Sequence, residues 1–271
     1  MDIESSPLVS VVIPSYNHGR FLGRALQSVI DQTYTNWEVI IVDNRSTDNT
    51  DEVLAGFLDS RLVHLKTDNK GVIAKSRNVG IRVARGEWIA FLDSDDWWNT
   101  DKLKRAIVAA GEGFDVVYHG LEIVGGASGL FKKKIIYNRQ VKSPVLVDLL
   151  MKRNALATSS VMIRKEILLR VDGMNESPEM VAAEDYNTWL KCSRVTEKFF
   201  CISECLGYYS VHDQSVSKKK DMSNPLTKAV EEFLVFLNSF QKLKVRLWLS
   251  YVFIRHRYRL YFARIIDLIT Y

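Results

Sequence analysis

The first hundred residues alternate between two kinds of hydrophobic pattern. Short apolar runs, which are typical of buried strands, occupy residues 8–14, 37–43, 61–67 and 87–93. Apolar residues recur at helical spacing between these runs, which predicts helices after the first strand, over 49–58, within 71–86 and over about 101–111. Apolar strands that alternate with helices are typical of a parallel sheet covered on both faces. The pattern therefore predicts an α/β fold.

Two of these helices carry end signals. Ser46 or Thr47 is placed to cap the helix over 49–58, and Gly86 is placed to close the helix within 71–86. Four residues of that second helix are predicted to share one side: Val72, Ser76, Val79 and Val83.

The second half of the chain is less regular. Extended segments are predicted over 114–124, 131–138, 157–165 and 198–212, and a helix over 182–195. Charged and turn residues cluster at 217–225, and helical patterns follow. We therefore expect one domain over residues 1–216 and a basic, aromatic helical tail over 217–271.

One stripe of the tail is apolar along a helical face: Leu243, Leu247, Ile254, Tyr258, Tyr261 and Ile265. This stripe either packs against the main domain or inserts partly into a membrane surface. The chain has a net charge of +5, and residues 241–271 hold seven Lys or Arg residues against one Asp. The basic character belongs to the tail, which suits an anionic membrane surface better than nucleic acid, and the sequence shows no nucleic-acid motif.

Composition also bears on location. The three cysteines lack zinc-type spacing, which predicts free thiols in a reducing cytoplasm. The first residues lack the basic and apolar regions of a signal peptide, and the apolar run at 247–254 is too short to span a bilayer. We expect a cytoplasmic protein, with possible peripheral contact to the inner membrane through residues 241–271.

Candidate ligand-binding residues follow three of the predicted strands. These are PSYN at 14–17, Asp43, and Asp93 and Asp95 within FLDSDDWW. In an open α/β sheet, ligands bind at these carboxyl ends. The first strand lacks a glycine-rich phosphate-binding motif after it, which argues against a dinucleotide site and a P-loop.

Each of these residue types suits a nucleotide ligand. Asp43 could accept a hydrogen bond from a base N–H, with Tyr16 offering its ring, although a loop-capping role for Asp43 is the alternative. Two carboxylates on one side of an extended chain, Asp93 and Asp95, favour a cation between them. Mg²⁺ or Mn²⁺ with a diphosphate fits such a pair, and Lys75 and Arg77 lie nearby in sequence.

Three blocks of sequence resemble the family 2 glycosyltransferases with the GT-A fold. The blocks begin VSVVIPSYNHGRFL, NKGVIAKSRNVG and EDYNTWL, and the second ends in FLDSDDWW. The resemblance covers about residues 8–215. It implies a Rossmann-like, mostly parallel sheet with helices on both faces, with a nucleotide-sugar-binding half over about 1–112 and an acceptor-binding half over 113–216.

The resemblance also implies roles for individual residues. Pro14, Tyr16, Asp43, Arg77 and Asp93 match nucleotide-sugar positions, Asp95 and His212 match positions for Mn²⁺ or Mg²⁺, Asp185 matches the catalytic base and Glu184 would face the acceptor. The chain departs from the family at Asn44 and Arg45, where Asp and Gly are common, and at Ser210, where many members have Arg.

Other residues have two possible roles. Trp98 is predicted to line an acceptor subsite, with core packing as the alternative. Asp96 could cap the following helix or contact the acceptor. His18, His64 and His119 show no ligand pattern and are expected to be structural, and Trp189 is expected to pack.

The resemblance implies an inverting, metal-dependent transfer of one hexose or N-acetylhexosamine from a UDP-sugar. The acceptor would be a saccharide, and the basic, aromatic tail favours one held at a membrane, such as a polyprenyl-diphosphate-linked oligosaccharide of bacterial O-antigen, capsule or exopolysaccharide synthesis. The QxxRW signature of processive synthases is missing from the sequence, which favours single-sugar addition. The alternatives are a GDP- or dTDP-sugar donor, a sugar-nucleotide-binding protein without turnover, and a glycoside hydrolase.

Overall fold

The structure is a computed structural model. It describes residues 6–125, 135–136, 139–213 and 223–269, and at 223 and 255–269 it describes only the helical backbone.

The elements of the first half follow the predicted alternation. They are β1 (Val9–Ser15), α1 (Gly19–Ile30), β2 (Trp37–Asp43), α2 (Thr50–Ala55), β3 (Leu62–Lys66), α3 (Ile73–Val83), β4 (Trp88–Phe91), β5 (Trp97–Trp98) and α4 (Lys102–Gly111). The predicted strands and helices are confirmed: β2 has the predicted bounds, β1 is shifted by one residue, and β3, β4, α2 and α4 are shorter than predicted.

The second half adds strands and helices in a less regular order. They are β6 (Val116–Gly125), β7 (Ile135–Ile136), α5 (Val145–Lys152), β8 (Met162–Arg164), α6 (Lys165–Arg170), α7 (Glu184–Cys192), β9 (Phe199–Val211), α8 (Ser223–Glu231) and α9 (Ser239–Ile269). Of the extended segment predicted over 131–138, only residues 135–136 lie within the described part of the chain.

Both predicted helix-end signals are wrong. Ser46 bonds to Asp43 rather than to the start of α2, whose first N–H is accepted by Asp48. Helix α3 ends at Val83, because Ala84 already has extended backbone angles (φ −55°, ψ 136°). Gly86 serves a different purpose, since a Cβ there would lie 2.6 Å from the Leu8 carbonyl oxygen. A larger residue would therefore separate the chain at this point from the start of β1.

The described strands form one sheet in the order β3-β2-β1-β4-β8-β6-β9-β5, with β7 beside β6. Strands β1 to β4 pair in parallel, whereas β8 runs antiparallel to both β4 and β6. The parallel register places Ser15 beside Asp43, and Asp43 beside Lys66. The carboxyl ends of these strands therefore meet at one edge of the sheet.

Two apolar clusters cover the two faces of this sheet. Along β1, Val12 belongs to one cluster, and Val11 and Ile13 belong to the other. Neighbouring side chains of a strand point to opposite faces, so a strand that is buried on both faces is apolar throughout. This arrangement confirms the predicted helix-covered sheet and holds the strand ends rigidly at the edge.

The first part of the predicted tail packs on the domain. Ala229, Val230, Phe233 and Val245 are buried within one of the two apolar clusters. The predicted boundary at residue 216 lies outside the described residues. Within the described part of the chain, no helix combines the length and apolar character that are needed to cross a membrane.

The predicted apolar stripe of the tail does not pack on the domain where its side chains are described. Leu243, Leu247 and Ile254 are 54%, 60% and 50% exposed. The packing alternative is therefore wrong for these three residues. The side chains of Tyr258, Tyr261 and Ile265 lie outside the described set.

Candidate active site

The predicted nucleoside residues lie where β1 and β2 end. Asp43 is fully buried and accepts hydrogen bonds from the hydroxyl and the N–H of Ser46. Pro14 is buried inside β1, whereas the Tyr16 ring, just after the strand, is 56% exposed. Tyr16 therefore offers a surface to a ligand.

One departure from the family has a visible cost. Arg45 has φ 53°, the left-handed backbone region that glycine adopts without strain. The family's common glycine at this position suits the turn, whereas this chain holds an exposed arginine in the same conformation. Arg45 therefore adds an exposed positive charge two residues after Asp43.

A buried bridge of ion pairs joins the acidic loop to α7. The Arg77 guanidinium donates to Asp93 and to Glu184, each at 2.7 Å. Burial opposes the charge of Arg77, but the carboxylates of Asp93 and Glu184 outweigh it and raise the pKa of Arg77 above its ordinary value. Asp93 and Glu184 therefore stabilise the charged form of Arg77 in its buried position.

The bridge changes the interpretation of two predicted contacts. The side chains of Arg77 and Glu184 are only 3% and 7% exposed. Glu184 also accepts from the Ala182 N–H, so both of its oxygens are engaged inside the protein. This placement does not match the predicted acceptor contact of Glu184. Arg77 likewise reaches Asp93 rather than an open surface.

Asp95 and His212 come together although they are 117 residues apart in the sequence. The His212 Nε2 lies 2.8 Å from the Asp95 Oδ2. A carboxylate oxygen and an imidazole nitrogen at this separation, both at the surface edge of the sheet, form a donor set that fits Mn²⁺ or Mg²⁺ when a diphosphate supplies further oxygens. The predicted pairing of Asp93 with Asp95 around one cation is not seen, since Asp93 reaches Arg77.

A second group of ligand-type side chains lies near the nucleoside residues. Asp43, Asp51 and His64 each bring one ligand atom within 4.8 Å of the others. Lys66 already pairs with Asp51 at 2.6 Å, and Ser46 bonds to Asp43. Because Lys66 already neutralises Asp51, we retain Asp95 and His212 as the candidate metal ligands.

Asp96 and Trp98 are interior residues. Asp96 accepts from the Ser210 N–H and the Ser159 hydroxyl, so it neither caps α4 nor faces an acceptor. Burial raises the pKa of Asp96 well above its ordinary value, and Asp95 and Asp93 add to the effect. Trp98 is 3% exposed and donates its indole N–H to the Ser159 carbonyl. This burial favours the packing alternative over the predicted acceptor contact.

A short helical turn, Thr158–Ser160, links the two halves of the site. Ser159 contacts Asp93, Asp96 and Trp98 through its hydroxyl and carbonyl. Thr158 donates its hydroxyl to the Asp185 carboxylate at 3.0 Å. Neither residue was predicted to belong to the site; their signal is the polar run Thr158–Ser160 inside the extended segment over 157–165.

Asp185 stands at the start of α7. Burial raises its pKa to about 7, the neighbouring Glu184 adds to the rise, and Arg77 opposes it. The N–H of Tyr186 and the hydroxyl of Thr158 hold its two oxygens in place. A carboxylate with a pKa near neutrality is suited to take a proton from a hydroxyl group.

Comparisons with known proteins agree with this architecture. Residues 10–172 match the family described as glycosyl transferase family 2. The UDP-Glc:alpha-D-GlcNAc-diphosphoundecaprenol beta-1,3-glucosyltransferase WfaP of Escherichia coli is 31% identical over 219 residues, which are 79% of this chain and 81% of WfaP.

Two solved structures share the fold. S. aureus TarS 1-349 in complex with UDP-GlcNAc has a TM-score of 0.70 at 22% identity, over 88% of this chain and 70% of that one. The mannosyltransferase PcManGT from Pyrobaculum calidifontis, in complex with GDP-Man and Mn²⁺, has a TM-score of 0.66 at 19% identity, over 90% and 70%. The fold is therefore the GT-A fold of glycosyltransferases. The chain belongs to glycosyl transferase family 2, and it is a glycosyltransferase.

Proposed function

We propose that this enzyme transfers one hexose or N-acetylhexosamine from a UDP-sugar to a saccharide acceptor, with inversion and with a divalent metal. The observation that carries the proposal is the buried bridge Asp93–Arg77–Glu184. It fixes the loop of the candidate metal ligand Asp95 against the residue next to the candidate base Asp185. One rigid unit therefore holds the groups for the leaving diphosphate and for the acceptor hydroxyl.

The donor proposal rests on the nucleoside end of the site. In this proposal Asp43, at the end of β2, would accept from a base N–H, and the exposed Tyr16 ring would lie against the base. WfaP is named for UDP-Glc, and TarS is in complex with UDP-GlcNAc. PcManGT is in complex with GDP-Man, so a GDP-sugar, or the related dTDP-sugar, is the second candidate donor.

Two sets of residues would carry out the transfer: the metal ligands act on the leaving diphosphate, and the base acts on the acceptor hydroxyl. Asp95 and His212 would hold Mn²⁺ or Mg²⁺, and the ion would supply positive charge against the charge that develops on the leaving diphosphate. Asp185 takes the proton of the acceptor hydroxyl as that oxygen attacks the sugar. Attack on the side opposite the diphosphate inverts the anomeric carbon, and no covalent intermediate with the enzyme is needed.

The acceptor proposal is a saccharide carried on polyprenyl diphosphate in bacterial surface-polysaccharide synthesis. WfaP is named for a GlcNAc-diphosphoundecaprenol acceptor. A lipid-held acceptor lies at a membrane, and α9 exposes an apolar stripe in a basic segment. We propose peripheral contact of residues 241–271 with the cytoplasmic face of the inner membrane.

The donor is tested by thermal unfolding with UDP-, GDP- and dTDP-sugars in the presence of Mn²⁺. A ligand that binds only the native state raises the unfolding temperature. We therefore expect one of the UDP-sugars, as the donor, to give the largest rise in unfolding temperature. A larger shift with a GDP- or dTDP-sugar would replace UDP in the proposal. Donor binding without sugar release on any lipid-linked saccharide would favour a binding protein without turnover.

A further inference from the structure

The first turns of α1 face the candidate metal ligands. The Phe21 ring lies 4.5 Å from the His212 ring, and the His18 ring meets His212 edge-on at 5.9 Å. The His18 Nδ1 lies 2.8 Å from the Ser94 hydroxyl, next to Asp95 in the chain. His18, which was expected to be structural, thus belongs to the surroundings of this site. One face of α1 therefore borders both segments that carry the candidate ligands.

Arg24 makes the most specific contacts on this face. Its Nη2 donates to the Asp95 carbonyl oxygen at 3.1 Å. Its guanidinium carbon lies 3.4 Å from the centre of the Trp97 ring. A planar guanidinium can stack on a ring and donate in its own plane at the same time, which a lysine ammonium cannot do. Arg24 thus contacts the backbone of the acidic loop at Asp95 and the side chain of Trp97 two residues later.

The contacts continue to the strand that leads to His212. Trp97 stacks on Tyr208 of β9, with the ring centres 5.0 Å apart and the planes 15° from parallel. The backbone of Trp97 pairs with that of Tyr208 in the sheet. His212 follows four residues after Tyr208 and returns to Asp95 at 2.8 Å. A continuous set of contacts therefore connects Arg24 to both candidate metal ligands, Asp95 and His212.

We propose that Arg24 is a positioning residue for the metal site. It fixes the main chain at Asp95 and, through the Trp97–Tyr208 stack, the end of β9 that carries His212. This proposal rests on the proposed metal-dependent function. It differs from a direct role in binding, because the contacts of Arg24 are to protein groups that hold the ligands.

The chain offers a matched control for Arg24. Arg61 also stacks on a tryptophan, with its guanidinium carbon 3.5 Å from the centre of the Trp37 ring. It also donates to a backbone carbonyl, that of Thr35, at 3.1 Å. Trp37 begins β2, at the end of the strand opposite Asp43. Arg61→Lys therefore removes the same stack and carbonyl contact far from the site, and it also alters the Arg61–Asp59 ion pair.

The experiment is calorimetric titration of Mn²⁺ into the full chain in the presence of UDP, so that no sugar transfer is involved. We expect Arg24→Lys to weaken Mn²⁺ binding by about tenfold, the lower end of the range for residues that orient metal ligands. Trp97→Leu, which keeps Arg24 but removes the stack, should weaken it in the same direction. Arg61→Lys should bind Mn²⁺ like the wild type.

The outcomes separate this proposal from the proposed function. Equal Mn²⁺ affinity of Arg24→Lys and the wild type would overturn the positioning role alone. Equal weakening in Arg61→Lys would also overturn it, because the effect would then be general. Failure of the wild type to bind Mn²⁺ with UDP would overturn the metal site itself, and the positioning role with it.

Discussion

At the scale of single residues, Asp185 has the properties of a base for a hydroxyl group. Burial and the adjacent Glu184 raise its pKa to about 7, and Arg77 keeps the rise from going further. A base is most useful when its pKa is near the working pH, since it is then both ionised and able to hold a proton. Thr158 fixes the orientation of the carboxylate.

We expect Asp185→Asn to bind the UDP-sugar but to transfer sugar roughly 10²–10⁴-fold more slowly, because the amide cannot accept the proton. In the wild type, transfer should rise with pH and level off above about pH 7, because Asp185 is active only when deprotonated. UDP release with a lipid-linked acceptor measures both effects.

Asp31→Asn serves as the control for this prediction, since Asp31 is exposed at the end of α1. Transfer that is unchanged in Asp185→Asn, with donor binding intact, would remove Asp185 as the base. A pH profile that falls between pH 6 and pH 8 would contradict the sign expected from its raised pKa.

At the scale of elements, the bridge between α3 and α7 holds the two halves of the site together. Arg77 is buried and pairs with Asp93 and with Glu184, which is 107 residues away in sequence. Removing one partner of a buried ion pair leaves uncompensated charge inside the protein. The bridge is therefore expected to matter for stability as well as for geometry.

We expect Arg77→Ala to lower the free energy of unfolding by about 3–5 kcal/mol, the usual cost of breaking a buried pair. Urea unfolding, followed by circular dichroism, measures this loss. Arg170→Ala is the matched control, because Arg170 and Glu166 form an exposed pair at 4.0 Å on α6. Such a pair contributes about 0–1 kcal/mol. Equal losses in the two variants would show that the bridge does not stabilise the fold.

The contacts of Arg77 could not be predicted from the sequence, whereas the order of strands and helices could. The strand and helix alternation was predictable because hydrophobic period is a local property, as in β2, whose predicted and observed bounds coincide. The contact of Arg77 with Glu184 depends on how distant elements pack, and no local pattern encodes it. Trp98 likewise follows the acidic loop in sequence, yet its ring turns into the core.

At the scale of the whole molecule, α9 carries an apolar surface that the domain does not cover. Five residues follow one another at spacings of three or four and are each half exposed or more: Phe240, Leu243, Leu247, Tyr251 and Ile254. The opposite side of the helix packs on the domain through Val245. Exposed apolar stripes of this kind mark interaction surfaces. The basic residues of the segment favour an anionic lipid surface as the partner.

We expect the wild type to sediment with vesicles that contain anionic phospholipid, and less with purely zwitterionic vesicles. The double variant Leu243→Glu/Leu247→Glu should lose most of this binding, because it places charge on the buried side of the membrane contact. Its unfolding temperature should be unchanged, since both side chains are already more than half exposed.

Val235→Glu is the control for this experiment, because Val235 is 71% exposed but lies outside α9. It should bind vesicles like the wild type. Undiminished binding by the Leu243→Glu/Leu247→Glu variant would contradict the membrane role of the stripe. A dimer of the wild type that this variant abolishes, without any vesicle binding, would instead make a second copy of the chain the partner, since apolar residues at these spacings also suit helix pairing.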